Sequence, residues 1–373
     1  MDFNLNEQEK LLQRTAKEFA TKLVEPRAAE IDRDGQFPFD LAKEIGNRGY
    51  QGLPYPVKYG GSEAGYVSYA LVLEQICRAS MTVGAIMAIN TVPQEAIFRF
   101  GNEEQKETLL TPLAQGKLLG CIAFTEAETG SDPEAITTVA RKSGNGYVVT
   151  GQKHFVALAP AANLALVFTK GEGKGLNAFV TDTSSSGFVI REPCETMGLR
   201  GLGTSVVYLN DVYIPRQNLL GEEGQGFDIL LEAISLARLG VATEAVAVAQ
   251  SALELSIDYA RQRKALGKPI VKLPAIQWHL AEMASRIEAG RWLVYRTAFL
   301  RDQDRDIRYE SSLAKLFASQ VAVDVTRMAM QVHGSYGTMK TLPVERLYRD
   351  AKMTEIYVGV SEIQRGIIAS YLI

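Results

Sequence analysis

The sequence predicts an α+β protein in three consecutive parts: a helical N-terminal domain, a middle β-domain and a C-terminal four-helix bundle. Apolar residues recur at helical spacing up to residue 119 and again from residue 226. Between these regions lie short runs rich in β-branched and aromatic residues, each bounded by turn formers, which is typical of strands. We therefore place the domain boundaries at 1–119, 120–222 and 223–373.

The N-terminal part shows the helical period from its first segment onward. Within residues 6–33, Leu12, Ala16, Phe19 and Leu23 are spaced for one helix face, with charged residues between them. Further helices are predicted at 40–49, 65–81, 83–100 and 103–116. The last of these begins with acidic residues, which favour the positive end of the helix dipole.

The middle and C-terminal parts differ in their periodicity. The strands predicted in the middle part are Tyr147 to Thr150, Leu164 to Phe168, Leu176 to Val180 and Val206 to Leu209. From Gly226 the helical period returns, with Ala245, Val248 and Ala249 on one face. Long helices are predicted at roughly 226–262, 270–303, 308–334 and 359–371. Their short connections favour an up-and-down bundle.

Composition excludes several classes of protein. A net charge of −3 with interspersed signs gives no nucleic-acid footprint, and no apolar run has membrane-spanning length. The N-terminus, Met1-Asp2-Phe3, lacks the basic start and apolar core of a signal peptide. The 3 cysteines and 3 histidines are scattered, which predicts neither a disulfide framework nor a metal site. We expect a cytoplasmic protein without nucleic-acid, membrane or metal partners.

One polar turn is a candidate ligand-binding segment. Hydroxyls at Thr125, Thr129 and Ser131 surround the flexible Gly130, directly after the apolar run from Cys121 to Phe124. Such a turn offers backbone N–H groups and hydroxyl donors to the polar edge of a cofactor. The alternative is an ordinary β-turn in which Ser and Asp serve as turn formers.

Several spaced blocks carry a resemblance to a known family. They are Phe124-Thr125-Glu126 with Gly130-Ser131-Asp132; Met197-Gly198-Leu199-Arg200-Gly201; Asp211-Val212 with Pro215 and Asn218-Leu219-Leu220-Gly221; Arg263-Lys264 with Gly267-Lys268-Pro269; Gln331 with Gly334; Arg349-Asp350-Ala351-Lys352; and Ser361-Glu362-Ile363-Gln364-Arg365. The resemblance that they carry covers essentially the whole length of the chain. The chain resembles the acyl-CoA dehydrogenases, flavoenzymes that oxidise the α,β bond of an acyl thioester.

The resemblance implies a complete architecture and a set of partners. It implies an α-helical domain, a β-barrel-like middle domain and a C-terminal four-helix bundle, with FAD between the last two. It also implies a homotetramer in which each flavin touches two subunits. The expected substrate is an acyl-CoA or acyl-carrier thioester of fatty acid metabolism, and the expected electron acceptor is an electron-transferring flavoprotein. The flavin carries the redox step, and the protein supplies geometry and electrostatics.

The resemblance also implies site residues. The cofactor-binding set is Ile122, Thr125, Gly130, Ser131, Phe155, Ala157, Arg263, Gln331 and Gly334. In this set Phe155 matches an aromatic position that flanks the flavin ring, whereas Arg263, Gln331 and Gly334 match positions that reach the FAD of a neighbouring subunit. The substrate-binding set is Ser131, Arg238, Tyr357 and Gly359, with Arg238 near the thioester and the last two residues on the floor of the site.

The catalytic position departs from the family pattern. The α-proton of a thioester is only weakly acidic, so its removal needs a carboxylate within hydrogen-bond reach. The usual glutamate precedes the glycine in a Tyr-Glu-Gly-Thr string, where this chain has Val358. An alternate glutamate directly before the bundle arginine is replaced by Ala237. Neither side chain accepts a proton, so the catalytic residue is not assigned.

Two other carboxylates are candidates for a relocated base. Glu95 lies on an otherwise apolar predicted helix. The alternative interpretation of Glu95 is a helix-end charge or a structural salt bridge. Glu232 lies on the helix that carries Arg238, and its alternative interpretation is a solvated helix face.

Departures near the cofactor leave three hypotheses open. Ala157 and Val360 replace threonines that usually bond or face the flavin, and each lost hydrogen bond is worth about 0.5–1.5 kcal/mol. The first hypothesis is an FAD-dependent acyl-CoA dehydrogenase with a relocated base. The second is a thioester enzyme of the same fold with non-dehydrogenating chemistry, such as the elimination of sulfur from a sulfinated acyl-CoA. The third is a non-catalytic homologue that has lost FAD.

Overall fold

The computed structural model describes residues 4–173 and 175–373, and it begins with a helical part. The helices of this part are α1 (Glu7–Phe19), α2 (Ala28–Asp34), α3 (Phe39–Asn47), α4 (Gly65–Ala79), α5 (Met81–Phe100), α6 (Glu103–Gln105) and α7 (Thr111–Ala114). A capping box starts α1, because the Asn6 side chain accepts from the Glu9 N–H and the Glu9 carboxylate accepts from the Asn6 N–H. The helices predicted at 65–81 and 83–100 are present as α4 and α5.

In the described residues, the middle part is one sheet of eight strands. The strands are β1 (Gly120–Ala123), β2 (Val139–Ser143), β3 (Gly146–Val156), β4 (Leu164–Lys170), β5 (Leu176–Asp182), β6 (Phe188–Ile190), β7 (Ser205–Pro215) and β8 (Leu219–Leu220). They run in the order β6–β7–β3–β2–β4–β5–β8, and β1 pairs with β4 in parallel. The four predicted strands lie within β3, β4, β5 and β7, and the strands that were not predicted are short.

Strand β4 is buried on both faces and joins the sheet to the helices. Leu166 and Phe168 pack with residues of α5, whereas Ala165 and Val167 belong to the main core on the other face. This division follows from the alternation of side chains along a strand. Since β1 lies between β4 and α5, the segment after β1 emerges where the sheet meets the helices.

The C-terminal part is built on three long helices. Its elements are α8 (Gly226–Gln262), β9 (Lys264–Ala265), β10 (Lys268–Pro269), α9 (Pro274–Asp302), α10 (Arg308–His333), α11 (Val344–Thr354) and α12 (Ser361–Ser370). The bundle consists of α8, α9, α10 and α11, with α10 packed on the other three. The helix predicted at 359–371 is present as α12, but the fourth bundle position is filled by α11, which the periodicity did not predict.

Helix α8 is the central element of the molecule. It packs against α4 and α5 on one side and against α9, α10 and α11 on the other. Its approach to the N-terminal helices is close, because a Cβ added at Gly240 would lie 3.3 Å from the Ala88 Cβ. Although α8 has 37 residues, neither it nor any other helix in the described residues is apolar enough to cross a membrane.

Candidate active site

The loop that follows β1 is held against β3. The His154 N–H donates to the Thr125 carbonyl at 2.8 Å, and Lys153 Nζ donates to the Phe124 carbonyl at 3.1 Å. The polar turn and the strand that carries Phe155 are therefore adjacent in space. The structure thus brings together the first group of predicted cofactor residues, from Ile122 to Ala157.

A buried ion pair fixes the conformation of this loop. Lys153 Nζ donates to Glu126 Oε1 at 2.8 Å, and the N–H groups of Thr137 and Thr138 donate to the same carboxylate at 2.6 and 2.9 Å. Burial alone would raise the pKa of Glu126, but these hydrogen bonds lower it to about 2. Burial lowers the pKa of Lys153 to about 8, against the opposing effect of Glu126. Both groups are charged near neutral pH, so the loop is held by a charge-assisted bond.

Phe155 is presented at a bulge in β3. The pairing of β3 with β7 shifts register between Lys153 and Val156, and Phe155 takes a left-handed φ of 53°. Such a conformation costs a non-glycine residue about 1 kcal/mol or more, and a bulge re-aims one side chain. The Phe155 side chain is 67% exposed as a result. The half-buried Ala157, two residues further on, offers no side-chain donor beside it.

The remaining members of the polar turn differ in their exposure to solvent. Gly130 and Ser131 are exposed, and Ile122 and Thr125 are half-buried. Thr129 is buried, and its hydroxyl donates to the Asp132 carbonyl. Thr129 therefore stabilises the turn, whereas Ser131 is accessible to a ligand.

A second group of predicted cofactor residues forms a separate surface at the C-terminal ends of α8 and α10. The guanidinium of Arg263 lies 5.8 Å from the ring centroid of Tyr336. Gln331 and Gly334 line an exposed concave surface nearby. An exposed position is what the resemblance implies for residues that reach the flavin of a neighbouring subunit.

The predicted base position lies on a tight turn between α11 and α12. Val358 has a φ of 56° and Gly359 a φ of 90°. The left-handed conformation is uncommon for a β-branched residue and costs about 1–2 kcal/mol. Lys315 Nζ and Gln364 Nε2 donate to the Gly359 carbonyl at 2.8 and 2.9 Å. A clamped turn therefore holds an apolar side chain at the position where the family that the sequence resembles usually has a glutamate.

The Val358 side chain packs against an apolar wall formed by α5, α8 and the end of β1. The same hydrophobic cluster contains Val92, Ala96, Ile122, Phe124, Ala233, Ile234 and Ala237. None of these side chains accepts a proton. Such a wall suits an acyl chain, and both usual base positions, Val358 and Ala237, belong to it.

Two buried cations lie beside this turn. Arg238 on α8 is 5% exposed, and its guanidinium donates to Ser312 Oγ at 3.4 Å. Lys315 on α10 is fully buried. Burial lowers the pKa of Arg238 to about 10, and burial together with the neighbouring Arg238 lowers that of Lys315 to about 7. The predicted substrate residues Arg238, Tyr357 and Gly359 thus share one region with Lys315, which the sequence analysis did not identify.

Glu95 and Glu232 belong to one buried ion-pair cluster. Arg301 on α9 donates to both carboxylates, and Glu95 also accepts from Arg99 Nε at 3.0 Å and from the Tyr66 hydroxyl at 2.6 Å. Burial alone would raise the pKa of Glu95, but Arg301, Arg99 and Tyr66 lower it below its ordinary value. The structure therefore favours the structural salt bridge for Glu95, and it places Glu232 in the same cluster rather than on a solvated face.

A buried carboxyl near the floor of the site was missed by the sequence analysis. Glu244 on α8 is fully buried and accepts a hydrogen bond from the Tyr357 hydroxyl. Its other oxygen, Oε1, has no partner in the part of the chain that the structure describes. Burial, aided by Asp350, raises the pKa of Glu244 well above its ordinary value. The available signal was a lone acid in the apolar run from Leu239 to Ala249.

The residues around β1 and β3 fit a flavin. The pinned loop, the exposed Ser131 and the Phe155 ring raised on its bulge offer a polar edge and a flat apolar face side by side. The missing hydroxyl at Ala157 weakens this fit without removing it, because one hydrogen bond contributes only about 0.5–1.5 kcal/mol. We call this arrangement the flavin slot. Beyond it lie the apolar wall, the buried cations Arg238 and Lys315, and the buried carboxyl of Glu244. This arrangement can bind and orient a thioester.

Comparisons with known proteins cover nearly the whole chain. Three family models match it: the acyl-CoA dehydrogenase N-terminal domain at residues 6–117, the middle domain at 121–212 and the C-terminal domain at 224–373. An acyl-CoA dehydrogenase of Bacillus subtilis (strain 168) is 39% identical over 375 residues, which is 99% of each chain. The mitochondrial short-chain specific acyl-CoA dehydrogenase of Homo sapiens is 37% identical and covers 99% of this chain and 91% of its own. The structure of butyryl-CoA dehydrogenase from Megasphaera elsdenii gives a TM-score of 0.98 at 34% identity and covers 100% of both chains.

Proposed function

This chain belongs to the acyl-CoA dehydrogenase family of FAD-binding flavoenzymes, and from that premise we propose that it oxidises the α,β bond of an acyl-CoA or acyl-carrier thioester with a relocated base. The observation that carries this proposal is the pairing of a slot that fits a flavin with an apolar wall that fits an acyl chain. The slot and the wall lie within the three regions that match the family models. Val358 and Ala237 exclude a carboxylate at either usual position.

The protein's own groups have distinct roles in this proposal. FAD, when bound, supplies the acceptor for the β-hydrogen as hydride. Phe155 flanks the flavin, and Arg263, Gln331 and Gly334 serve the flavin of a neighbouring subunit. The N–H groups of Val358 and Gly359 have no acceptor among the described residues. They are therefore positioned to bind the thioester oxygen, where negative charge develops when the α-proton leaves.

Glu244 is the proposed base, acting through Tyr357. The Tyr357 hydroxyl donates to Glu244 and lies on the segment that carries Val358, so it links the buried carboxyl to the floor of the site. In this step the Tyr357 oxygen takes up the α-proton of the thioester, and the hydroxyl proton of Tyr357 moves to the Glu244 carboxylate. Burial raises the pKa of Glu244 well above its ordinary value, and only the ionised carboxylate accepts a proton, so turnover should increase with pH.

Anaerobic titration with butyryl-CoA tests the proposed reaction. We expect purified protein to be yellow and its flavin absorbance to bleach as the acyl group is oxidised. Glu244→Gln and Tyr357→Phe should each slow bleaching by at least about tenfold, whereas Glu362→Gln, an exposed acid on α12, should not. Rapid bleaching in Glu244→Gln would exclude Glu244 as the base. Colourless protein that takes up no added FAD would overturn the whole proposal.

The alternative is a thioester enzyme of this fold with non-dehydrogenating chemistry, such as elimination, or a non-catalytic homologue without FAD. One observation favours elimination: Arg238 and Lys315 are buried beside a turn that has no carboxylate at position 358 and whose Glu355 accepts a hydrogen bond from Lys352. An anionic leaving group would be held there without any base. Yellow protein that no saturated acyl-CoA bleaches would support elimination, and protein that cannot be reconstituted with FAD would support the non-catalytic homologue.

We also propose a homotetramer that passes electrons to an electron-transferring flavoprotein, both by analogy with the family. Large apolar side chains on α9 support an assembly, since Trp278 is 74% and Phe299 55% exposed in the single chain. Light scattering after size exclusion measures the mass. Reduction of an added electron-transferring flavoprotein in the presence of butyryl-CoA measures the electron transfer.

A further inference from the structure

His333 is a buried histidine that the proposed reaction does not use. It is the last residue of α10 and is 5% exposed. Its ring stacks on Tyr259 of α8, with the ring centroids 4.4 Å apart and an angle of 30° between the planes. His333 Nδ1 lies 2.8 Å from the Ala329 carbonyl oxygen. Because a carbonyl only accepts, Nδ1 carries the proton of the neutral ring, and Nε2 is the nitrogen that would take up a second proton.

The turn that follows α10 packs directly on His333. This 3₁₀ turn (Gly334–Thr338) starts at Gly334, whose φ of 59° and ψ of −139° favour glycine and reverse the chain. The turn approaches the helix closely, because a Cβ added at Gly337 would lie 2.6 Å from the Met330 carbonyl oxygen and 3.2 Å from the His333 Cβ. His333 is therefore held between Tyr259 and the turn.

The same turn and helix end carry the second group of predicted cofactor residues. Gln331 lies on the last turn of α10, and Gly334 directly follows His333. The Arg263 guanidinium, at the end of α8, lies over the ring of Tyr336 in the turn. The stack on Tyr259 thus joins the end of α8 to the end of α10, and with them the residues expected to reach the flavin of a neighbouring subunit.

A proton on His333 would be a buried charge without a counter-ion. Burial lowers the pKa of His333, and only the Ala329 carbonyl opposes this effect. The titratable groups on the surrounding elements are mostly basic. They are Asp258, Arg261 and Arg263 at the end of α8; Lys264 and Lys268 of the β9–β10 hairpin; Lys272 before α9, with His279 and Glu282 on it; Asp324 and Arg327 of α10; Tyr336 of the turn; and Glu345 and Tyr348 of α11.

The acids among these groups already have basic partners. Asp258 lies 3.7 Å from Arg261, and Asp324 lies 2.9 Å from Arg286. Glu345 on α11 is bonded to Arg349, and Glu282 on α9 is bonded to Arg286. In the part of the chain that the structure describes, no carboxylate forms an ion pair with His333. An unpaired buried charge is costly, so a protonated ring is more stable in water than in this stack.

We infer that His333 is a positioning residue for FAD: its neutral ring holds Arg263, Gln331 and Gly334 in the arrangement that binds the flavin of a neighbouring subunit, and uptake of a proton at Nε2 releases that arrangement. The inference rests on the proposed function, from which the role of these three residues is taken. Since the packed state lowers the pKa of His333 from 6.5, its stability is complete above pH 6.5 and falls as the pH drops below that value. FAD should therefore be lost in acid.

The dissociation constant of FAD, measured between pH 8 and pH 5 by the fluorescence of the released flavin, tests the inference. In the wild type it should rise below pH 6.5 by up to about tenfold per pH unit, because one proton is taken up. His333→Phe keeps a ring on Tyr259 and does not titrate, so it should lack this rise. His333→Ala loses the ring contact and should bind FAD on the order of tenfold more weakly at every pH.

Hydrogen exchange of residues 331–338 provides a readout on the protein without FAD. At pH 5 this segment should exchange faster in the wild type than in His333→Phe, and at pH 8 the two should agree. Each comparison is made at one pH, because the chemical exchange rate itself depends on pH. The control is His279→Phe, the same replacement at a half-buried histidine on α9, which should keep the wild-type pH dependence. Circular dichroism verifies that each variant is folded.

The outcomes separate this inference from the proposed function. Equal pH dependence of FAD binding in the wild type and His333→Phe would overturn the inference, and so would wild-type FAD affinity in His333→Ala at pH 8. In both cases the protein still holds FAD and butyryl-CoA still bleaches it, so the proposed function stands. A wild type that binds no FAD at pH 8 would overturn the proposed function, and the inference with it.

Discussion

Arg301 on α9 forms a buried ion pair with Glu95 on α5, and it holds Glu232 of α8 in the same cluster. This contact joins the N-terminal helical part to the bundle. It also decides how Glu95 is to be interpreted, because a carboxylate that accepts from Arg301, Arg99 and Tyr66 has a lowered pKa and few free lone pairs.

Glu95→Gln is therefore expected to lower stability rather than to abolish chemistry. Removing one partner of a buried ion pair costs about 3–5 kcal/mol, since the remaining charge loses its partner. Urea unfolding measures this loss, and single-turnover flavin reduction at low temperature should be retained. Glu18→Gln, at an exposed pair with Lys22, is the control. A variant of unchanged stability that has lost turnover would restore Glu95 as a candidate base.

Lys153→Met is expected to weaken both the middle domain and the retention of FAD. Without Lys153, the buried Glu126 loses its cation, and the loop from Phe124 to Ser131 is attached to β3 by fewer bonds, although the bond from the His154 N–H to the Thr125 carbonyl remains. A destabilisation of about 3–5 kcal/mol should accompany a lower flavin-to-protein absorbance ratio after gel filtration.

The matched control for this variant is Lys10→Met, which breaks the exposed pair with Glu7 and should change neither quantity. The double variant Glu126→Gln with Lys153→Met should recover part of the stability, because no unpaired charge remains. Full FAD retention in Lys153→Met would show that the pinned loop does not hold the cofactor.

Val358→Glu is expected to create or raise ordinary acyl-CoA dehydrogenase activity. Glutamate places a carboxylate on the clamped turn, and because it is not β-branched it tolerates the left-handed φ of 56° better than valine does. Bleaching of the flavin by butyryl-CoA under anaerobic conditions measures the gain. Val358→Gln has nearly the same shape without a base, and it should show no gain. Unchanged activity in Val358→Glu with FAD bound would contradict an intact acyl site.

Glu244→Gln is expected to change how stability depends on pH. The folded state raises the pKa of Glu244 above its ordinary value of 4.5, so the folded protein binds more protons than the unfolded chain. The free energy of unfolding of the wild type should therefore fall as the pH rises above 4.5, by up to about 1.4 kcal/mol per pH unit from this group.

The glutamine variant lacks this ionisation, so its curve should be flatter and should lie above that of the wild type at pH 8. Urea unfolding at several pH values measures both curves. Asp350 contributes a slope of the same sign, because burial raises its pKa to about 6, and this slope remains in the variant. Parallel curves for the two proteins would mean that Glu244 is already ionised in the folded state.

The sequence analysis was most successful where the signal is local. The period of apolar residues predicted α4, α5 and the long helices of the bundle, and turn formers bounded the strands that became β3, β4, β5 and β7. Helix α11 was not predicted, although it supplies the fourth member of the bundle. The short strands β1, β2, β6 and β8 were missed because few residues carry too little periodicity to be recognised.

The amino-acid sequence by itself determined the family, the three-domain order and the absence of a carboxylate at positions 237 and 358, because these depend only on residue type and spacing. Only the tertiary structure paired Glu95 with Arg301, placed Lys315 beside Arg238 and joined Tyr357 to Glu244. These partners lie on different elements of the chain. The charge and the role of a buried group are set by such partners, and the packing of whole helices decides which partners meet.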